Sequence, residues 1–128
     1  MIWGDNYAPI EKLNNSGTYN GYSIGVNELK NTRGNVLIGY ANLADEEFSY
    51  GFGYRNKITK GYAIGGNNTI TNSSVGIGTG NKVYGQSIAI GNVNTADNSS
   101  IAIGNYLKAK YGAFVIGYNN VESSSATT

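Results

Sequence analysis

The feature that most constrains this chain is an internal repeat of about thirteen residues. A short apolar segment that closes on glycine occurs eight times, and the glycines advance by 14, 14, 12, 13, 13, 13 and 13 residues. A nearly constant period is typical of a solenoid, in which each copy is one coil and changes of length fall in loops. We therefore predict about eight coils of 13–14 residues, each with a turn glycine: Gly25, Gly39, Gly53, Gly65, Gly78, Gly91, Gly104 and Gly117.

Each copy alternates large and small residues before its glycine. The positions three and one residues before it are aromatic or β-branched, whereas the position between them is mostly small: Ser23, Leu37, Gly51, Ala63, Gly76, Ala89, Ala102 and Val115. Alternation with a period of two predicts a strand with one bulky face and one thin face. We expect the glycine to end the strand, where the backbone turns sharply or passes close to another chain.

Two further columns follow the glycine. Asn stands three residues after it in six copies, at Asn42, Asn56, Asn68, Asn81, Asn94 and Asn120, and an apolar residue follows two positions later, at Ala44, Ile58, Ile70, Val83, Ala96 and Ala109. Because Asn tolerates the left-handed region, the first column predicts a turn. The second column predicts the centre of a shorter strand. A coil is then strand, turn, strand, turn, and stacking at roughly 4.8 Å per coil gives a parallel β-solenoid rod about 38 Å long.

The thin roll predicts what lies inside it. Its interior accepts the small column and the second apolar column, so the bulky column faces outward. Sixteen large apolar side chains on one face form a patch larger than soluble monomers usually expose. We expect this patch to be covered by obligatory association, although the residues alone leave open whether the core lies within one chain or between chains.

Composition argues against most enzyme classes and against several partners. The chain has no His and no Cys, and its net charge is +1, so it lacks the commonest proton-transfer group and metal ligands, and it has no broad positive field for nucleic acid. We predict no cofactor, no metal, no catalytic residues, no nucleic-acid binding and, since its longest apolar runs are far below the roughly 20 residues of a membrane span, no membrane contact. The carboxylates Asp45, Glu46 and Glu47 predict a solvated loop.

Other repeat proteins fit the pattern less well. A hexapeptide-repeat acyltransferase is the best enzymatic alternative, but a period of thirteen is not a multiple of six and a catalytic His is absent. A calcium-binding repeat needs Asp in register, and an ice-binding face needs ranks of Thr in one register. Neither pattern is present.

Two tandem copies carry a resemblance to a known family. Ser87-Ile88-Ala89-Ile90-Gly91 and Ser100-Ile101-Ala102-Ile103-Gly104, with Ala96 and Ala109 five residues after each glycine, resemble the head repeats of the YadA-like trimeric autotransporter adhesins. The resemblance implies a left-handed parallel β-roll, three chains packed about a common axis, and residues 20–122 as head repeats. It implies that the trimer core contains Ile24, Val36, Ile38, Phe52, Ile64, Val75, Ile77, Ile88, Ile90, Ile101, Ile103, Phe114 and Ile116.

The same resemblance implies a non-enzymatic function at the bacterial cell surface, namely attachment to host extracellular-matrix or cell-surface proteins as a virulence factor. Export and outer-membrane anchoring are then expected from a C-terminal region missing here. Residues 1–19 are expected to form a cap or degenerate coil, and residues 123–128 a truncated final coil or linker. The runner-up function is a receptor-binding or shaft segment of a phage or viral trimeric fibre, which uses the same architecture. Candidate ligand contacts are Tyr40, Tyr54, Tyr84, Tyr106, Tyr111 and Tyr118, because tyrosine offers contact area at low entropic cost.

Overall fold

A computed structural model describes residues 15–16, 19–20, 22–30, 34–119 and 121–122 of the chain. These residues form fourteen strands, and none of them forms a helix, so the described part holds no helix able to cross a membrane. Most of the predicted cap (1–19) and the whole of the predicted final segment (123–128) lie outside the described residues. The strands are β1 Asn15–Ser16, β2 Tyr19–Asn20, β3 Tyr22–Leu29, β4 Val36–Ala44, β5 Ser49–Tyr54, β6 Lys57–Gly66, β7 Thr69–Thr79, β8 Lys82–Val83, β9 Ile88–Asn92, β10 Thr95–Ala96, β11 Ile101–Asn105, β12 Lys108–Ala109, β13 Phe114–Tyr118 and β14 Val121–Glu122.

The eight copies of the repeat stack as one parallel ladder. Each copy pairs with the next so that equivalent residues are side by side: Gly25 pairs with Gly39 at one end, and Gly104 pairs with Gly117 at the other. The strands of this ladder are, in order, β3, β4, β5, β6, β7, β9, β11 and β13. Consecutive copies are joined by a turn of the chain, which makes about seven turns in all. The predicted all-β parallel β-solenoid is confirmed.

A second parallel ladder closes each coil on its opposite side. It runs through the ends of β3 and β4, the beginnings of β6 and β7, and then β8, β10, β12 and β14. β3, β4, β6 and β7 contribute to both ladders, whereas the later coils use a separate short strand for the second. We call the sheet formed by the repeat copies the first face and the other sheet the second face.

The core lies between the two faces and belongs to a single chain. Most of its fully buried apolar residues come from the small column of the first face and the second apolar column: Leu37, Ala63, Ala89, Ala102 and Val115, and Ala44, Ile58, Ile70, Val83, Ala96 and Ala109. Leu107 and Ala113, which stand at other positions of the repeat, complete the core. The two columns are complementary in size, because Gly51 leaves room for the side chain of Ile58, and Gly76 leaves room for that of Ile70. The sequence-based placement of these columns inside the roll is confirmed.

The asparagine column is not the turn that the sequence predicted. Asn42, Asn56, Asn68, Asn81 and Asn94 are buried, and the left-handed residue is the one before each of them, with φ of 58° at Ala41, 53° at Arg55, 56° at Asn67, 70° at Gly80 and 55° at Val93. Each Asn instead faces inward and bonds to neighbouring coils. In the middle of this asparagine ladder, the Asn68 side-chain N–H groups donate to the Asn56 side-chain oxygen and to the Gly78 carbonyl, both at 3.0 Å.

Candidate functional site

The first face presents the large residues of every copy to the outside of the roll. We call these sixteen outward residues the apolar face; none is charged and none is buried in the single chain. Exposure reaches 51% at Tyr62 and 48% at Ile64 and Ile116. All thirteen residues predicted for the trimer core lie on this face: Ile24, Val36, Ile38, Phe52, Ile64, Val75, Ile77, Ile88, Ile90, Ile101, Ile103, Phe114 and Ile116.

Side chains of the apolar face contact their neighbours above and below. The rings of Tyr50 and Tyr62 stack with centroids 4.8 Å apart and planes 11° from parallel. Such ladders cover each side chain along the axis but leave its outer surface free. The arrangement presents a continuous apolar strip along the solenoid, which suits contact with another extended apolar surface.

An open groove of about 690 Å³ lies beside the first coils of the apolar face. Ile24 and Ile38 line one side, and Val26, Tyr40 and Tyr54 line the other, with the glycine backbone at its floor. No titratable group other than the two tyrosines lines it. Its chemistry suits an apolar or aromatic side chain rather than a charged small molecule.

The glycine column forms the edge of the apolar face. At Gly91, φ is +122°, and a β-carbon would overlap the carbonyl oxygen of Gly104 in the next coil. The other seven glycines also have positive φ, from 98° to 141°. The close approach is therefore to the next coil of the same chain. Each glycine lies inside its strand rather than at the end, since the ladder continues for at least one residue beyond it.

The six candidate ligand tyrosines do not form one surface. Tyr40, Tyr54 and Tyr118 lie directly after the glycine at the edge of the first face, Tyr106 lies at the corner between faces, and Tyr84 and Tyr111 lie farther along their coils. Tyr118 is 68% exposed and contacts Tyr106 edge to face, with centroids 5.9 Å apart. The Tyr54 ring lies over Gly66 of the next coil. Tyr106 and Tyr118 thus form one group of rings, and Tyr40 and Tyr54, which are paired in adjacent strands, form another.

The charged groups of the described residues lie outside the apolar face. Lys30 and Asp45 form an ion pair at 3.4 Å with both side chains partly exposed. Within ranges 22–30 and 34–119, no three His, Cys, Asp or Glu residues come close enough together to hold a metal ion. In the predicted solvated loop 45–47, Glu46 is exposed, whereas Asp45 and Glu47 are half-buried.

The second face carries an outward column that was not predicted from the sequence. At the fourth position after the glycine, consecutive coils place five residues in register: Lys57, Thr69, Lys82, Thr95 and Lys108. We call these five residues the Lys/Thr row. The three lysines are exposed and the two threonines are half-buried. The signal was present in the alignment of copies, but this column alternates between two residue types and therefore looks irregular.

Taken together, the fold and its outward columns define a parallel β-solenoid with one apolar face and one polar face. No family model matches the chain. Searches among curated proteins and among solved structures likewise found no significant match.

Proposed function

We propose that this chain is the head of a trimeric bacterial surface adhesin, in which three left-handed β-rolls pack their apolar faces about a common axis. The observation that carries the proposal is the apolar face itself. Sixteen large apolar side chains run the length of the described solenoid without one charge, and none is buried by its own chain. The motif resemblance of the tandem Ser-x-Ala-Ile-Gly copies supplies the family.

The energetics of the single roll support association. Its fully buried apolar residues are mostly Ala and Val, with only Leu37, Ile58, Ile70 and Leu107 larger. Full burial of a Val, Leu, Ile or Phe side chain contributes about 1.5–3 kcal/mol, so the partly exposed side chains of the apolar face hold apolar free energy that the single chain does not gain. Covering the apolar face with two sister chains gains this free energy, whereas leaving the face in water does not.

The proposed role is attachment rather than catalysis. The chain has no His or Cys, and the groove beside the first coils of the apolar face is open and lined by apolar and tyrosine side chains. A rigid rod that repeats the same outward columns on three chains suits multivalent contact with host matrix or cell-surface proteins, because weak contacts gain strongly when several act together. The bacterial surface is the proposed location.

Light scattering tests the trimer. The wild-type chain is expected at three times its 13.6 kDa mass, and the double variant Ile90→Asp/Ile103→Asp is expected to lose assembly, because two carboxylates would be buried at the threefold axis. Thr69→Asp/Thr95→Asp is the matched control, since it adds the same charge on the second face. It is expected to remain trimeric. A soluble, folded monomer of the wild type, or trimers of both variants, would contradict the proposal.

The attachment function is tested separately. The purified wild-type oligomer is presented to immobilised matrix proteins and to cultured host cells, with the assembly-deficient variant as the negative control. Saturable binding by the oligomer and loss of binding by the variant are expected. Absence of binding to every surface would argue against an adhesin.

A further inference from the structure

The near-zero net charge of the chain conceals a strong separation of charge along the rod. Residues 50–119 contain six Lys or Arg residues and one acidic residue, Asp97, whereas residues 1–49 contain three basic and six acidic residues. Since the apolar face carries no charge, these cations lie on the second face and at the corners. The later coils therefore present a basic surface opposite the apolar face.

The Lys/Thr row orders part of this charge. Lys57, Lys82 and Lys108 occupy every second coil, with Thr69 and Thr95 in the coils between. At roughly 4.8 Å per coil, the lysines recur about every 10 Å along a straight line. Among residues 22–30 and 34–119, none of these three lysines takes part in an ion pair. The carboxylate of Asp97 lies two positions after Thr95, beside Gly85.

A shallow cavity of about 300 Å³ lies beside the row. Its lining includes Lys82, Thr95 and Lys108 of the row, together with Val93 and the 52%-exposed Tyr106. The edge-to-face contact with Tyr118 orients the Tyr106 ring. Two lysines, a threonine and a tyrosine thus line a space of about 300 Å³, which has room for one sugar residue.

From this arrangement we infer that the second face binds a linear acidic polysaccharide, which lies along the Lys/Thr row with one acidic sugar in the cavity between Lys82 and Lys108. The ammonium groups pair with carboxylate or sulfate groups, the threonine hydroxyls bond to sugar hydroxyls, and the Tyr106 ring packs on the apolar side of a pyranose. The spacing favours a polysaccharide over nucleic acid, because lysines about 10 Å apart match a charge that recurs every two sugars, whereas DNA places a phosphate every 3.4 Å or so along each strand.

This inference deepens the proposed function by naming a ligand class. It rests on the proposed function in one respect: the trimer must leave the second face exposed to solvent. If the polysaccharide binds and the protein is monomeric, the trimer proposal fails alone. If the protein is trimeric and binds neither polysaccharide, this inference fails alone. Light scattering on the samples used for titration separates the two cases.

Calorimetric titration with a heparin octasaccharide and a hyaluronan octasaccharide tests the inference and distinguishes sulfate from carboxylate recognition. Wild type is expected to bind at least one of them, with affinity that falls as salt rises. Lys82→Gln/Lys108→Gln is expected to weaken binding about tenfold and to reduce the salt dependence. Lys30→Gln/Lys60→Gln removes equal charge elsewhere and is expected to stay within about twofold of wild type.

Three results would overturn the inference. One is no binding of either octasaccharide at low salt. Another is an equal loss of affinity in Lys30→Gln/Lys60→Gln, which would reduce the effect to net charge. The third is tighter binding of a single-stranded oligonucleotide of matched charge, which would assign the row to nucleic acid. Tyr106→Ala is expected to cost severalfold in affinity, and unchanged affinity would contradict the placement of a sugar in the cavity.

Discussion

Replacing Asn68 with alanine removes the centre of the asparagine ladder. In the wild type, the Asn68 side chain donates to the Asn56 side-chain oxygen and the Gly78 carbonyl, both at 3.0 Å. Its own oxygen accepts the backbone N–H of Asn81 at 3.0 Å and the side-chain N–H of Asn81 at 3.1 Å. Alanine abolishes all four bonds at a site that is 0% exposed.

The free-energy loss concentrates on the groups left without another partner. The Asn81 side chain still donates to the Ile77 and Gly91 carbonyls, and the Asn56 oxygen still accepts the backbone N–H of Asn68. The backbone N–H of Asn81 loses the Asn68 oxygen as its partner, whereas the Gly78 carbonyl stays in the parallel ladder between β6 and β7. Since an unsatisfied buried group costs about 1–3 kcal/mol, we expect Asn68→Ala to lower the free energy of unfolding by about 1–3 kcal/mol.

Urea unfolding followed by circular dichroism measures this difference, at one fixed protein concentration because assembly contributes to apparent stability. Asn92→Ala is the matched control. The Asn92 side chain is exposed and donates one bond, to the Asn105 side-chain oxygen at 3.1 Å, so its loss is expected to cost less than about 0.5 kcal/mol. Equal losses in the two variants, or a loss under about 1 kcal/mol in Asn68→Ala, would refute the structural role of the ladder.

Three further substitutions probe the backbone and the core. Gly91→Ala is expected to lower the free energy of unfolding by at least about 3 kcal/mol, since φ is +122° and the new β-carbon overlaps the next coil; near-wild-type thermal unfolding would contradict this. Gly76→Ala is expected to cost about 1–3 kcal/mol by overpacking against the Ile70 δ-methyl, and to become nearly neutral in an Ile70→Val background, as a double-mutant cycle would measure. Val93→Gly is expected to raise stability by up to about 1 kcal/mol, because Val93 is left-handed at φ 55° where the equivalent Gly80 is unstrained; a lowered urea midpoint would argue against it.

The solenoid could be predicted because its determinants are local and repeated eight times. The alternation of Ile88, Ala89 and Ile90 shows from its period alone that the two sides of the strand have different environments. The repeat predicts the register between coils, because stacking one copy on the next places equivalent residues side by side. The side that is buried follows from volume, because a thin roll admits Ala89 but not both isoleucines.

The asparagine ladder could not be predicted from any single copy. The local sequence does not show whether an Asn is itself in the left-handed conformation or follows a residue that is, because both occur in turns. What separates them is the bond from Asn81 to Asn68 one coil away, which exists only after stacking. Its signal was the recurrence of Asn in six of the eight copies, across coils of 12 to 14 residues. Arg55 and Val93, by contrast, show that the true left-handed position tolerates varied side chains.

The difference between inward and outward columns gives the site its physical basis. Inward positions are constrained by the volume of the roll and by hydrogen bonds between coils, which is why no buried described residue is charged and why Asn recurs from Asn42 to Asn94. Outward positions are free of that constraint, so a consistent chemistry there requires another cause. The apolar face keeps large uncharged residues through all eight copies, and the Lys/Thr row keeps a lysine in every second coil from Lys57 to Lys108. Two outward columns of opposite chemistry on opposite sheets favour two different contacts, one with an apolar surface and one with an anionic chain.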